Sequence, residues 1–373
     1  MVTKYAFEAL DRTLRDIMRD KVKDNMDKPF GGKTIVLGGD FRQILPVIPK
    51  GSRADIVMAT VNSSRLWRHC KVLTLTENMR LLSNSSPEER AEVKSFANWV
   101  LDLGDGKLGE FNDGESDIII PDELLIEQSS DPIADIVRFT YNNIVEDTVG
   151  AEFYKDKAIL APTLDEVDSI NQYVLSLFNG QEKTYMSSDS IWKADEQVGI
   201  TADWITTEFL NGIKSSGIPD HKLVLKEGAP IMLMCNLDIS SGLCNDTRLI
   251  VEDLCPNVIG AIVITGTHTG HKVFISRMDL IPSDPNLPIK FMRRQFPLCL
   301  SFAMTINKSQ GQSLSHVGVY LPKPVFTHGQ LYVVVSRVKS KAGLKILIGG
   351  DSTSTPGATK NIVYKEVFQK IYK

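Results

Sequence analysis

The stretch Asp27–Val47, DKPFGGKTIVLGGDFRQILPV, holds two sets of residues able to handle phosphate. Gly32-Lys33-Thr34 has the letters that end a phosphate-wrapping loop, whose amides converge on the ligand while lysine and hydroxyl handle charge and metal. Such a loop reads G-x-x-x-x-G-K-[ST], follows a strand and opens a helix. Here the first glycine's place holds Asp27, and the apolar run TIVLGG comes after the lysine. Spacing and context predict a Gly-rich turn leading into a buried strand. GGDFRQ, at the carboxyl end of that strand, is the stronger candidate, because ligands of open α/β sheets bind there. Gly38 and Gly39 would let the backbone turn tightly, Asp40 can accept hydrogen bonds, and the Gln43 amide could contact a phosphate oxygen and an attacking water. A structural turn uses the same residue types, so the residues alone leave both readings open.

The elements that must position these residues alternate. KTIVLGGD (33–40) and KVLTLTENMR (71–80) are apolar on both faces, as strands buried in a parallel sheet are. Val93, Phe96, Val100 and Leu103 mark a helix with Gly104 as its stop, and GDGKLGEFNDGESD then reads as an acidic surface loop. DPIADIVRFTYNNIV is helical in pattern; strand KAILAP follows, then a helix opened by the capping box Thr163–Glu166. Residues 181–222 predict loops with short helices. The runs PIMLMCNL, TRLIVEDL, VIGAIVIT and HKVFISRM, separated by turn residues, predict a small antiparallel barrel. The organisation is α/β with four parts: 1–130, 131–227, the inserted barrel 228–295, and 296–373, which resumes the second α/β domain.

The chain has 373 residues and a net charge of −4, which conceals an asymmetry. Residues 1–80 carry 15 Lys and Arg against 9 Asp and Glu, residues 81–270 carry 12 against 33, and residues 271–373 carry 15 against 4. Basic ends brought together would make a groove for a polyanion; solvated faces of mixed sign are the alternative. No apolar run approaches membrane-spanning length, and the N-terminus lacks the apolar core of a secretion signal. Five scattered cysteines form no C-x-x-C pair, which favours neither a disulfide framework nor a metal knuckle.

LGGDFRQILPVIPKG, LTLTENMRL, FAMTINKSQGQSL and HGQLYVVVSRVKSKAGLKILI occur in this order. Together they resemble the later motifs of the Pif-one-like (petite integration frequency) DNA helicases, relatives of RecD. The resemblance covers nearly the whole chain. It implies two RecA-like (P-loop NTPase-type) domains that sandwich ATP and Mg2+, a small β-barrel inserted in the second, and single-stranded DNA or a duplex junction as partner. The activity implied is ATP-dependent 5′-to-3′ unwinding in repair, recombination and telomere maintenance, nuclear or mitochondrial, although no targeting segment is visible. By motif, Gln43 resembles the sensor of the terminal phosphate, with Asp40 supporting its loop. Arg80 and Arg337 resemble guanidinium groups that reach that phosphate, Arg337 from the opposite domain; a surface ion pair is the alternative for each. Thr305, Asn307 and Lys308 resemble contacts to the DNA backbone, while Gln310 and Gly311 resemble the part of that motif facing the nucleotide. Tyr332 reads as packing rather than as a base-stacking platform.

Two parts of the family pattern do not occur: the G-x-x-x-x-G-K-[ST] loop, and a strand ending in the Asp-Glu pair that holds magnesium. In the family both lie upstream of the first helix. The expectation is therefore a fragment, first domain incomplete, that alone neither hydrolyses ATP at a helicase rate nor unwinds duplex. The rival is a non-enzymatic remnant that binds single strands or pairs with an intact helicase. Asp246, where glycine is common in the family, stands in a barrel turn, and Val334 replaces the usual alanine.

Overall fold

The computed structural model describes residues 1–19, 26–79, 86–127, 129–142, 144, 150–192, 205–215, 217–282, 284, 287, 289–349, 357–369 and 371. They form two compact units, one of residues 1–128, 309–313 and 319–373, the other of 129–308 and 314–318.

In the first unit, helix α1 (Lys4–Arg19) packs against a 3-10 turn at Pro29–Gly32. The turn is fixed by Asp11, whose buried carboxylate accepts from Phe30 N at 2.6 Å and from Arg15 Nε at 3.0 Å. A Cβ at Gly31 would lie 2.6 Å from Leu14 O, so glycine is required there by close approach to the helix. Helix α2 (Arg53–Met58) opens with a Ser52–Asp55 capping box and α3 (Pro87–Gly104) with Ser86–Glu89, which reproduces the helix and stop read from the sequence. The acidic stretch after it is not all loop. Strands β1 (Glu110–Asn112) and β2 (Glu115–Ile119) form a hairpin, with Asp113 and Gly114 at φ 43° and 89° in its turn. Asp-Gly between strands is the signal for such a turn, since both positions need positive φ.

The predicted strands 33–40 and 71–80 differ from expectation. Residues 33–40 and 71–78 carry no ladder assignment, and residues 32–39 and 71–79 are exposed, Val36 at 91% and Leu75 at 97%. Their composition fits a buried strand, but no backbone partner lies beside them among the described residues.

In the second unit, α4 (Pro132–Thr140) and α5 (Ala151–Lys155) precede β3 (Lys157–Ala161) and the capped helix α6 (Leu164–Leu177). Where loops with short helices were predicted, the described residues form β4 (Lys183–Met186), β5 (Ser188–Ile191) and β6 (Lys222–Leu225) as well as one helix, Thr207–Gly212. The insert contains β7 (Pro230–Leu233), β8 (Arg248–Leu254), β9 (Val258–Val263), β10 (Lys272–Ser276), β11 (Met278–Leu280) and β12 (Phe291–Gln295), and β13 (Leu298–Leu300) follows just beyond the predicted boundary at 295. Five of these make one antiparallel sheet in the order β10-β9-β8-β7-β13. Its inner face buries Ile231, Leu249, Val251, Ile259 and Phe296. Beside it, β12 pairs with β11 and β5. Here Arg293 and Asp189, both at 0% side-chain exposure, meet at 2.7 Å, and the guanidinium also donates to the carbonyls of Leu210, Ile213 and Pro219. Strand β14 (Ala303–Thr305) runs parallel to β3, which also neighbours β15 (His316–Leu321). Two strands of the first unit close the chain, β16 (Leu344–Ile348) and β17 (Ala358–Ile362), the latter pairing with β2 of the same unit.

Candidate functional site

Four segments of the first unit converge on GGDFRQ. Asp40 Oδ1 accepts from Arg42 N at 3.0 Å, and Gln43 N donates to Asp40 O at 3.1 Å, so the loop is a tight turn organised by the aspartate. The two preceding glycines are not what bends it: neither has positive φ, and a Cβ on Gly38 or Gly39 would meet nothing within 4 Å. Tyr332, in the helix Gln330–Ser336, donates its hydroxyl to Asp40 Oδ2 at 2.7 Å. Burial, and then the neighbouring Asp40 carboxylate, raise the phenol's pKa, so it stays a donor. Tyr332 is thus a buried packing residue with one polar task.

The backbone before that helix presses on the same loop. Gly329 has φ 74°, and a Cβ there would lie 2.3 Å from Arg42 O. Only glycine permits that approach. His328 is fully buried; Tyr364 N donates to its Nδ1 at 2.8 Å, so the other nitrogen carries the proton and Nε2 donates to Phe41 O at 2.8 Å. Burial pushes the imidazole down to about 4. On the far side, Arg42 Nε meets Asp105 Oδ1 at 2.6 Å. Burial opposes the ionisation of Asp105, but hydrogen bonds from Lys107 and Arg42 outweigh it and hold the carboxyl below its usual range. None of Arg42, Gly104, Asp105 or Gly329 was singled out as a site residue. A Cβ at Gly104 would meet the Tyr332 ring at 2.5 Å, which ties the end of α3 to the site as well as stopping the helix.

Gln43 and Gln310 come together, Gln310 Nε2 donating to Gln43 Oε1 at 3.4 Å. Gln310 sits in the turn Ser309–Gln312, closed by Gln312 N to Ser309 O at 3.1 Å, and Gly311 supplies its φ of 80°. Arg337 binds the same turn. Its Nη1 reaches Ser309 O at 3.4 Å and Gln312 O at 3.3 Å, while Nε donates to Val333 O at 3.0 Å. At 9% exposure it is not the surface ion pair offered as its alternative. Its guanidinium holds the turn that presents Gln310, and it shares a unit with Gln43. Arg80 lies outside the described residues.

The remaining motif residues belong to the second unit. Thr305 ends β14, paired in register with Ala161. The strand is gripped by Asn171 of α6, whose amide brackets Ala303, accepting from its N at 2.8 Å and donating to its O at 3.2 Å. Asn307 is exposed on the 3-10 turn Ile306–Ser309. Lys308 Nζ lies 3.2 Å from Asp246 Oδ1, and Asp246 holds a left-handed φ of 67°, the conformation that glycine adopts without a Cβ penalty. Thr305, Asn307 and Lys308 thus share one strand end, with an internal carboxylate on the lysine.

Residues 1–114 match the PIF1-like helicase family, and residues 208–254 match the 2B domain of DNA helicase Pif1. The chain is 28% identical to the ATP-dependent DNA helicase PIF1 of Rattus norvegicus over 93% of its length, and 26% identical to that of Danio rerio over 93%. It spans about 45% of the length of either relative. Among solved structures it resembles the Pif1 helicase of Candida albicans (TM-score 0.58, 23% identity, 99% of this chain and 73% of that one). It likewise resembles a Bacteroides Pif1 helicase in complex with ADP-AlF3 and ssDNA (TM-score 0.59, 20% identity, 98% and 70%). The fold is the RecA-like α/β fold of these helicases. The ordered motifs, the two family matches and the shared fold make the chain similar to the Pif1-like helicases along most of its length.

Proposed function

We propose that this chain contributes the phosphate-sensing and strand-gripping parts of an ATP-dependent DNA helicase that moves 5′ to 3′ on single-stranded DNA, working in nuclear or mitochondrial genome maintenance. The observation that carries this reading is the join between GGDFRQ and the SQGQ turn: Gln43 meets Gln310, and Arg337 clamps the carbonyls on either side of it. A ligand that moved Gln43 would move the turn directly following Lys308. Sensing and gripping would be coupled through six residues of chain, Thr305 to Gln310.

The described residues do not fit a triphosphate and its metal. Gly31 is required by contact with α1, Lys33 and Thr34 enter an extended segment rather than a helix, and Arg337 is engaged with carbonyls. No group of three His, Cys, Asp or Glu among the described residues could hold a metal ion. No hydrolytic step is therefore assigned to them, and this favours a second reading in which the chain alone binds single strands without turnover.

The test is DNA-stimulated ATP hydrolysis by the purified chain, measured beside its binding to a fluorescent oligonucleotide. Binding without turnover is expected, with Lys308→Ala weakening it and lowering its salt dependence. Robust turnover would overturn the second reading; failure to bind single strands would overturn both.

A further inference from the structure

The first unit contains a basic cleft that none of the motif residues enters. It has a volume of about 260 Å³ and lies between α1 and the 3-10 turn Arg65–His69, lined by Arg12, Arg15, Arg65, Arg68 and His69 together with Asp11, Asp27 and Leu66. Two of these charges cancel internally. Asp11 is buried against Arg15, and Arg15 Nη1 also donates to Met26 O at 3.0 Å, so that pair serves the fold. Arg12, Arg65 and Arg68 are exposed and have no carboxylate partner among the described residues; the bond from Arg68 goes to His69 Nε2 at 3.1 Å. Among the described residues Asp27 is the one remaining acid in the lining.

The walls are fixed before any ligand arrives. Ser64 caps the Arg65–His69 turn by accepting from Leu66 N at 3.2 Å and donates to Glu8 Oε1 of α1 at 2.6 Å; Lys4 N donates to Ala59 O at 2.7 Å. Three guanidinium groups on two braced elements, without counterions of their own, make a site for phosphate oxygens, to which a guanidinium offers paired N–H donors. Among the described residues the lining has one apolar side chain, Leu66, and one ring, the His69 imidazole that already accepts from Arg68 Nε, so guanidinium donors dominate it.

The geometry points to a sequence-independent contact with the phosphodiester backbone of a nucleic-acid strand, in which Arg12, Arg65 and Arg68 each neutralise a phosphate. This rests on the DNA-binding reading above but concerns residues outside its motifs. A single strand held here would be gripped at a place separate in sequence from Thr305, Asn307 and Lys308. The strongly basic balance of residues 1–80 is then explained locally.

The experiment is single-stranded DNA binding by the full chain across a salt series. Each lost phosphate contact lowers the slope of log K against log salt by about 0.7. R12A/R65A/R68A should lower it by about 2 while the thermal transition stays in place. R12K/R65K/R68K should keep most of the slope, and Asp27→Asn should tighten binding. A control neutralising the exposed Lys71, Lys94 and Lys222 should change the slope far less. The inference is overturned if the native chain binds DNA and the arginine variant keeps its slope, or if the control loses as much, which would leave only net charge. It is also overturned if inorganic triphosphate displaces DNA from the native chain but not from the arginine variant, which would give the cleft to a free phosphate ligand. A native chain that binds no DNA overturns the wider reading as well.

Discussion

Residues 33–40 and strands β8 and β9 are built from the same residue types, yet they end in opposite states. RLIVEDL and VIGAIV pair along their length, and Leu249, Val251, Ile259 and Ala261 are almost wholly withdrawn from water. TIVLGG has a similar Ile-Val-Leu run and no ladder, with Val36 and Leu75 of the companion segment facing solvent. A strand is a property of two segments: apolar alternation and β-branching supply a side that fits a sheet, but only a neighbour supplies the hydrogen bonds that make burial of the backbone tolerable.

The largest test of this contrast lies in the paired region. Arg293→Met removes the cation that pairs with buried Asp189 and abandons three carbonyls; unpairing a buried ion costs about 3–5 kcal/mol, read as a lower urea midpoint. Leu249→Ala should cost about 2–5 kcal/mol, whereas Leu75→Ala should stay within about 0.5 kcal/mol. A large loss at Leu75 would mean that the segment is packed in solution and would break the comparison. A smaller effect concerns His328, which joins the GGDFRQ loop to residues 327–364. Its folded pKa of about 4 lies below the ordinary 6.5, so the unfolded chain takes up the proton first. Stability from this group is whole above about pH 6.5 and falls as pH drops towards 4, by about 3 kcal/mol at most. Thermal melts from pH 7 to 4.5 should show that slope, and His328→Gln should flatten it. Smallest is Asp246→Asn. Asparagine accepts the same left-handed backbone, and loss of the charge removes the carboxylate that Lys308 pairs with, so single-strand affinity should rise by a few fold. Unchanged affinity would show that the lysine does not meet the strand.

Much of the fold was legible where a signal is local. The Thr163–Glu166 box, the helix ending at Gly104 and the strands of the insert each rest on periodicity or capping within a few residues. Asp113-Gly114 was equally local and lay unused inside an apparently acidic loop. β5 could not be read that way: Ser188–Ile191 is polar, and it is a strand because Asp189 meets Arg293 more than a hundred residues later. At the site, motif order identified Asp40, Gln43 and Gln310, which the structure does bring together. Arg42–Asp105, Tyr332–Asp40 and the pressure of Gly329 were hidden because their partners are distant in sequence.

The Arg293 guanidinium also decides where the insert can be cut. Its acceptors run from residue 189 to residue 219, and Gln295 beside it donates to the carbonyls of Tyr185 and His221. A polypeptide begun at Gly228 would carry a naked cation and an empty-handed amide into its own interior. One begun at Lys183 would bring their acceptors along, and is the version to express when the insert is wanted by itself.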